Sequence, residues 1–317
     1  MFFQNKKGDN NIMITLQGKT ISTVAVSTIF GHGGNGMFPL KFSPKYQKVL
    51  ETVRKNGNTI FTKSTTANAR IGNYHHKKPW TYKFIRNFGP DSLLNAYGLT
   101  NEGAIENAKK IHKARKEGLE VIPNVFLEYS KESTTEEIIG KLIFAVRKII
   151  NDDTKALHII KLNISCPNSG EEVKNNTRVA LETVDRLKLF YPNLIIIAKL
   201  GYDHPVDFAR ELEDAGVDIL QAINTIPFTR LFPTEKSPLA SKGGGGLSGK
   251  TAQEASLRKC EEFRKATKLP MIMSCGIVDI PSAKKFFDIG ADAISICTIV
   301  KTNPEEAKRI LTYNWEL

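Results

Sequence analysis

The chain has 317 residues, 41% hydrophobic and 25% charged, with 45 Lys and Arg against 33 Asp and Glu and a formal net charge of +12. It is long enough for two domains, although barrels of this size fold as one, and it can bury a large core. No apolar run approaches the roughly 18 residues that cross a bilayer. Residues 1–11 turn polar after Phe2 and Phe3, without the apolar centre of a secretion signal. These features speak against a membrane or secreted protein and make a cytoplasmic one the expectation. The lysines are scattered along helical stretches, with only pairs such as Lys77-Lys78 and Lys109-Lys110. The excess charge therefore reads as a solvated surface or as a field for small anionic ligands, and no nucleic-acid partner is expected. The four cysteines, Cys166, Cys260, Cys275 and Cys297, form no C-x-x-C pair. That spacing argues against zinc, iron–sulfur ligation and a disulfide framework. His75-His76 has no third ligand placed nearby, so no metal is expected.

In chain order, residues 12–21 alternate around Gln17-Gly18 and predict a small hairpin suited to plugging the bottom of a barrel. Short apolar runs then predict strands at 23–29, 58–63, 120–126, 157–163, 194–200, 219–224, 270–274 and 293–297. Helical patterns follow them at 44–55, 101–116, 135–150, 177–190, 205–215, 251–266, 282–289 and 304–312. The strands are apolar throughout, as parallel strands covered on both faces should be. Eight such units predict a (β/α)8 TIM barrel, with 1–317 as a single domain. A doubly wound open sheet is the alternative, weakened because no G-x-G-x-x-G follows the first strand. Two connections, 64–100 and 225–250, are long and leave C-terminal strand ends, where barrel active sites lie.

A barrel gathers those strand ends into one ring: Lys63, Asn163 with Cys166, Lys199, Asn224-Thr225, Gly276 and Thr298. Cys166 follows a buried strand and sits between Asn163 and Asn168. There a thiol can exchange a proton while the amides read the polar edge of a planar ring. It can equally be an inert buried cysteine. Lys63 and Lys199 each end an apolar strand and need a partner. With only Asp203 a little beyond Lys199, a ligand anion suits them better than a carboxylate. Glycines at 243–246 and Gly276, with Thr298, follow the late strands, where barrels hold phosphate groups; the four-glycine run reads otherwise as a flexible linker.

Together these residues resemble the dihydroorotate dehydrogenases, a family of FMN-dependent (β/α)8 barrels, over 62–298. The likeness is most specific in Asn163-Ile164-Ser165-Cys166-Pro167-Asn168-Ser169-Gly170. The resemblance implies that Cys166 is the base that takes a proton from the dihydropyrimidine ring and that Asn163 and Asn168 hold the substrate. It implies that Lys63, with Ser64 beside it, lies near cofactor and substrate, and that the loop at 95–101 brings Asn95, Gly98, Leu99 and Asn101 to the substrate. Lys199 is implied at the flavin N1–C2 edge, Asn224 and Thr225 at the substrate, and Gly245, Gly246, Gly276 and Thr298 at the FMN phosphate. A cysteine at 166 resembles the soluble class of the family, for which a homodimer and an anionic small-molecule substrate are implied. The electron acceptor stays open between a soluble molecule such as fumarate and NAD reached through a partner flavoprotein subunit. Cys275 and Cys297 stand where the family pattern has glycine, Tyr97 where Met is usual, and Tyr74-His75-His76-Lys77 replaces a proline-rich stretch ending in arginine. Two other readings remain: a related flavoprotein acting on another dihydropyrimidine or an enone, and a non-catalytic barrel binding FMN or another phosphate ligand.

Overall fold

The computed structural model describes residues 13–130, 132–151, 158–165 and 170–315, without the side chains of 13 and 170–175. The strands, in order, are β1 (Met13–Leu16), β2 (Lys19–Ser22), β3 (Val24–Ser27), β4 (Ile60–Thr65), β5 (Ile85–Asn87), β6 (Ser92–Asn95) and β7 (Val121–Phe126). They continue with β8 (His158–Asn163), β9 (Leu194–Lys199), β10 (Ile219–Ala222), β11 (Ile226–Pro227), β12 (Gly246–Gly249), β13 (Met271–Ser274) and β14 (Ala293–Ile296). The helices are α1 (Pro44–Asn56), α2 (Ala104–Lys116), α3 (Thr135–Ile149), α4 (Gly170–Phe190), α5 (Phe208–Asp214) and α6 (Phe228–Leu231). After them come α7 (Gln253–Ala266), α8 (Ile280–Asp288), α9 (Thr298–Thr302) and α10 (Pro304–Thr312).

Eight strands close a barrel in the order β10-β13-β14-β3-β4-β7-β8-β9, every pair parallel. Local sequence explains the helices around it. In α1, Pro44 opens the first turn, and Tyr46, Val49, Leu50 and Val53 form one buried stripe; Gly57 stops the helix at φ 63°. Reciprocal capping boxes start α3 at Thr134 with Glu137, and α8 at Asp279 with Ser282.

Strand alternation sorts the barrel wall. On β9, Leu194, Ile196 and Ala198 face the helices, whereas Ile195 and Ile197 join Ala25, Phe61, Ile122, Ile219, Ile272 and Ala293 in an inner apolar layer. Ile14, Leu16 and Ile21 of the β1–β2 hairpin pack into that inner layer, so the hairpin closes the N-terminal end as expected. One step further up the same inner faces, the wall turns polar.

The two long connections, expected as loops shaping the binding face, carry strands of their own. Residues 85–95 and 226–249 together make a four-stranded antiparallel sheet, β11-β12-β6-β5, over the C-terminal end of the barrel. These strands are two to four residues long, and β12 has glycine at both ends, so no alternating pattern could develop in the sequence. Helix α4 also begins at Gly170, earlier than the expected 177, and α2 at Ala104, later than the expected 101.

Candidate active site

A cavity of about 740 Å³ opens at the C-terminal ends of the barrel strands, between the barrel and the sheet above it. That is room for a drug-sized ring system and a small second ring. Lys63, Ser64, Asn95, Gly98, Leu99, Asn163, Lys199, Asn224, Thr225, Gly245, Gly246, Gly276 and Thr298 all line it. Cys166 and Asn168 lie outside the described residues. Asn101 is a correction: it does not line the cavity. Its Oδ1 accepts from the N–H groups of Thr66 and Gly103 and its Nδ2 donates to Thr66 Oγ1 and the Leu99 carbonyl, which brace the loop instead.

The β4 strand delivers two neighbours to the same side. Its pairing with β7 shifts register between Phe61 and Ser64, a bulge that lets consecutive Lys63 and Ser64 both reach the cavity. From Ser64 an unbroken chain of side-chain hydrogen bonds crosses four more strands or strand ends. Ser64 Oγ accepts from Asn124 Nδ2 at 3.1 Å and from Asn163 Nδ2 at 2.9 Å. Ser165 Oγ donates to Asn163 Oδ1 at 2.5 Å and accepts from Asn224 Nδ2 at 2.6 Å. Lys199 Nζ donates to Asn224 Oδ1 at 3.0 Å. The chain fixes which end of each amide faces the cavity, the requirement for reading carbonyl and N–H edges of a ligand.

The charges are unevenly compensated. Two arginines near the rim have carboxylate partners: Arg70 meets Glu128 at 3.3 Å and Arg230 meets Asp203 at 2.8 Å. Asp203, the acidic residue closest in sequence to Lys199, is thus engaged elsewhere. Among the described residues no carboxylate pairs with Lys63, Lys161 or Lys199. Burial pushes Lys63 down to about 8, with the Cys297 sulfur opposing and Lys199 adding to the fall. Burial likewise lowers Lys199, against Cys297 and Cys275. Ammonium groups without carboxylate partners at one cavity are a donor set for an anion.

Lys161 escaped the sequence reading as a member of this group. On β8 the inner positions are Ile159, Lys161 and Asn163, so Lys161 points into the barrel below the cavity. It is fully buried, its Nζ has no hydrogen-bond partner among the described residues, and it lies 4.1 Å from the centroid of the Phe61 ring. A lysine inside an apolar strand two residues before Asn163 was the available signal.

Cys275 and Cys297 line the cavity where glycine was expected. Cys275 takes φ 72°, the left-handed conformation a glycine would adopt without strain, and burial pushes its thiol up to about 12. Gly276 follows at φ 121°, and a Cβ there would come within 2.6 Å of Gln253 Cα, so only glycine fits the turn. Cys260 lies apart, fully buried and donating to the Ala222 carbonyl, as the packing role predicted.

Residues 43–313 match the family model described as dihydroorotate dehydrogenase. The chain is 29% identical over 272 residues, 84% of its length, to the dihydroorotate dehydrogenase B (NAD(+)) catalytic subunit of Parabacteroides distasonis, of which it covers 82%. The protein of the same name from Bacillus mycoides is 29% identical over 245 residues, covering 76% of this chain and 73% of the relative. In fold, the ligand-free DHODH of Eimeria tenella superposes with a TM-score of 0.66 at 17% identity, covering 98% of this chain and 88% of the other.

Proposed function

The chain belongs to the dihydroorotate dehydrogenase family, and on that premise we propose that it oxidises dihydroorotate to orotate in one FMN-binding domain, with Cys166 as the base. The observation that carries this reading is the pair of buried lysines without carboxylate partners, Lys63 and Lys199, joined to a continuous amide chain in one cavity. The residues present fit the cofactor. Gly245, Gly246, Gly276 and Thr298, the first residue of α9, line the cavity, and Lys63, Ser64, Asn163 and Lys199 supply donors for a polar ring edge. FMN supplies the hydride acceptor when bound.

The protein's own residues divide the remaining work. Cys166, three residues beyond β8 in the sequence, takes the proton from the ring carbon next to the one that loses hydride. Asn95, Asn163, Asn168 and Asn224, with Thr225 and the backbone at Gly98 and Leu99, orient the ring by its carbonyl and N–H edges. Lys63 and those amides receive the carboxylate, and Lys199 opposes negative charge at the cofactor's polar edge. The sheet above the cavity would shield both from water once they are bound. The cysteine base places the chain in the soluble class, and a cytoplasmic homodimer completes the proposal. That relatives are dihydroorotate dehydrogenase B (NAD(+)) catalytic subunits supports NAD as the eventual acceptor.

The test is anaerobic mixing of the yellow, purified protein with dihydroorotate. Bleaching of the flavin absorbance is expected, with Cys166→Ala keeping its colour but bleaching far more slowly. A colourless protein, or one that dihydroorotate and orotate both leave unperturbed, overturns the reading. Bleaching by another dihydropyrimidine alone would select the related-substrate reading, which Tyr97 favours.

A further inference from the structure

Lys63 has an unusual neighbour. Its Nζ lies 3.5 Å from the centroid of the Tyr97 ring. Tyr97 stacks on Tyr74 at 5.3 Å between centroids and 19°, and Tyr74 stacks on Tyr82 at 5.3 Å and 18°. All three rings line the cavity. The pile is anchored. The Tyr97 carbonyl accepts from the N–H groups of Asn73 and Tyr74, at 3.0 and 3.2 Å. Tyr74 and Tyr82 donate their hydroxyls to the carbonyls of Phe38 and His76, at 2.8 and 2.7 Å. The loop arms carrying Tyr74 and Tyr97 are also bridged at Arg70 and Asn101. The ring under Lys63 is therefore a fixed wall.

The other groups facing Lys63 offer it little. Lys199 from β9 repels it, Cys297 from the end of β14 attracts it, and His32, from the segment after β3, is itself held neutral by burial. A desolvated ammonium over an aromatic face gains from the ring quadrupole, most where water is excluded.

We propose that Tyr97, backed by Tyr74 and Tyr82, is the positioning residue of Lys63, its ring face holding the ammonium at the cavity wall in place of a carboxylate. An aromatic seat differs from a carboxylate in one respect that matters to the reaction. It stabilises the cation without neutralising it, so the full charge remains available to an incoming carboxylate. This deepens the proposed function and rests on it only for the identity of that anion.

The experiment separates the two. The full-length chain as purified is labelled with 13Cε-lysine, and the Lys63 signal is assigned by its loss in Lys63→Met. Its titration midpoint is then measured in the unchanged chain, Tyr97→Phe and Tyr97→Leu, and orotate affinity is followed against pH in the same proteins. Tyr97→Phe keeps the midpoint, whereas Tyr97→Leu lowers it by about one pH unit and moves the alkaline loss of orotate affinity down by the same amount. A midpoint in Tyr97→Leu equal to that of the unchanged chain overturns the proposal. If Tyr97→Leu does not fold, phenylalanines of increasing ring fluorination at position 97 replace it at nearly constant shape. The midpoint then falls stepwise with fluorination, and a flat series overturns the proposal. Absence of orotate binding in every protein, with the Lys63 midpoint still tracking the ring, would overturn the substrate reading and leave the role of Tyr97 standing.

Discussion

Lys161 is the residue whose burial is hardest to reconcile with stability alone. A lysine wholly inside a barrel, without an acceptor among the described residues, forfeits its hydration and gains the Phe61 ring in return. Burial first, and then Lys199, hold its pKa well below the usual lysine range, with Cys297 opposing. Lys161→Met, which keeps the volume and removes the polar head, is expected to stabilise the fold by ~1–3 kcal/mol, the cost of one unsatisfied buried group. Urea midpoints near pH 8 for the two proteins check it. Lys199→Met should behave differently, because Lys199 ends a hydrogen-bond chain that faces the cavity. Its turnover with dihydroorotate is expected to fall by about 10²-fold or more, as for loss of a group stabilising developing charge, with the melting temperature little changed. The two lysines also show what a linear sequence can disclose. Lys199 was legible because it closes an apolar run at the edge of a polar loop. Lys161 was harder to see, because it interrupts an apolar run rather than closing it, and only its place two residues before Asn163 on the same strand face marks it as inward.

At the scale of elements, the strands of the barrel were legible because each is a short apolar run bounded by turn residues. The ring of polar ends followed from closing the barrel. The sheet over the cavity was hidden because its strands are stabilised by one another and by no pattern of their own. Its glycines had been given only a cofactor role or that of a linker, yet Gly246 pairs with Asn95 across β12 and β6. The turn after β13 is more demanding still. Gly276→Ala would combine a close approach to the Gln253 backbone with a conformation that L side chains avoid. It is expected to cost ~1–3 kcal/mol and to loosen the cofactor, read as a lower melting temperature and faster loss of flavin on dialysis. Retained flavin with unchanged melting would show that the turn tolerates a side chain and has no part in the site.

For the whole molecule, net charge and buried charge act together on stability. The unfolded chain carries lysines near their ordinary 10.5, whereas the folded, ligand-free chain lets Lys63 go at about 8. Between those values the unfolded state binds more protons, so stability rises with pH. Burial raises the Cys275 thiol from 9.0 to about 12, which works in the opposite direction above pH 9. The melting temperature of the flavin-free protein is therefore expected to climb between about pH 8 and 9, with Lys161 and Lys199 acting in the same sense as Lys63. Saturating orotate should reduce the climb by giving Lys63 a counter-ion. A melting curve that declines steadily from pH 7 to 9 would contradict the charge balance derived for the cavity. Among the described residues no helix is long and apolar enough to cross a membrane.

The paired segments above the barrel have a mechanical consequence. Leu94 sits opposite Leu247, and Asn95 shares its register with both Gly246 and Ile85. Two stretches far apart along the chain are thus stitched into one plank, and neither can swing without dragging the other. Any opening of this sheet is then expected as one concerted event rather than the independent fluttering of two flaps. Amide deuteration at Leu94 and Leu247 should proceed with one shared rate, slowed to the same extent in both when the cavity is filled.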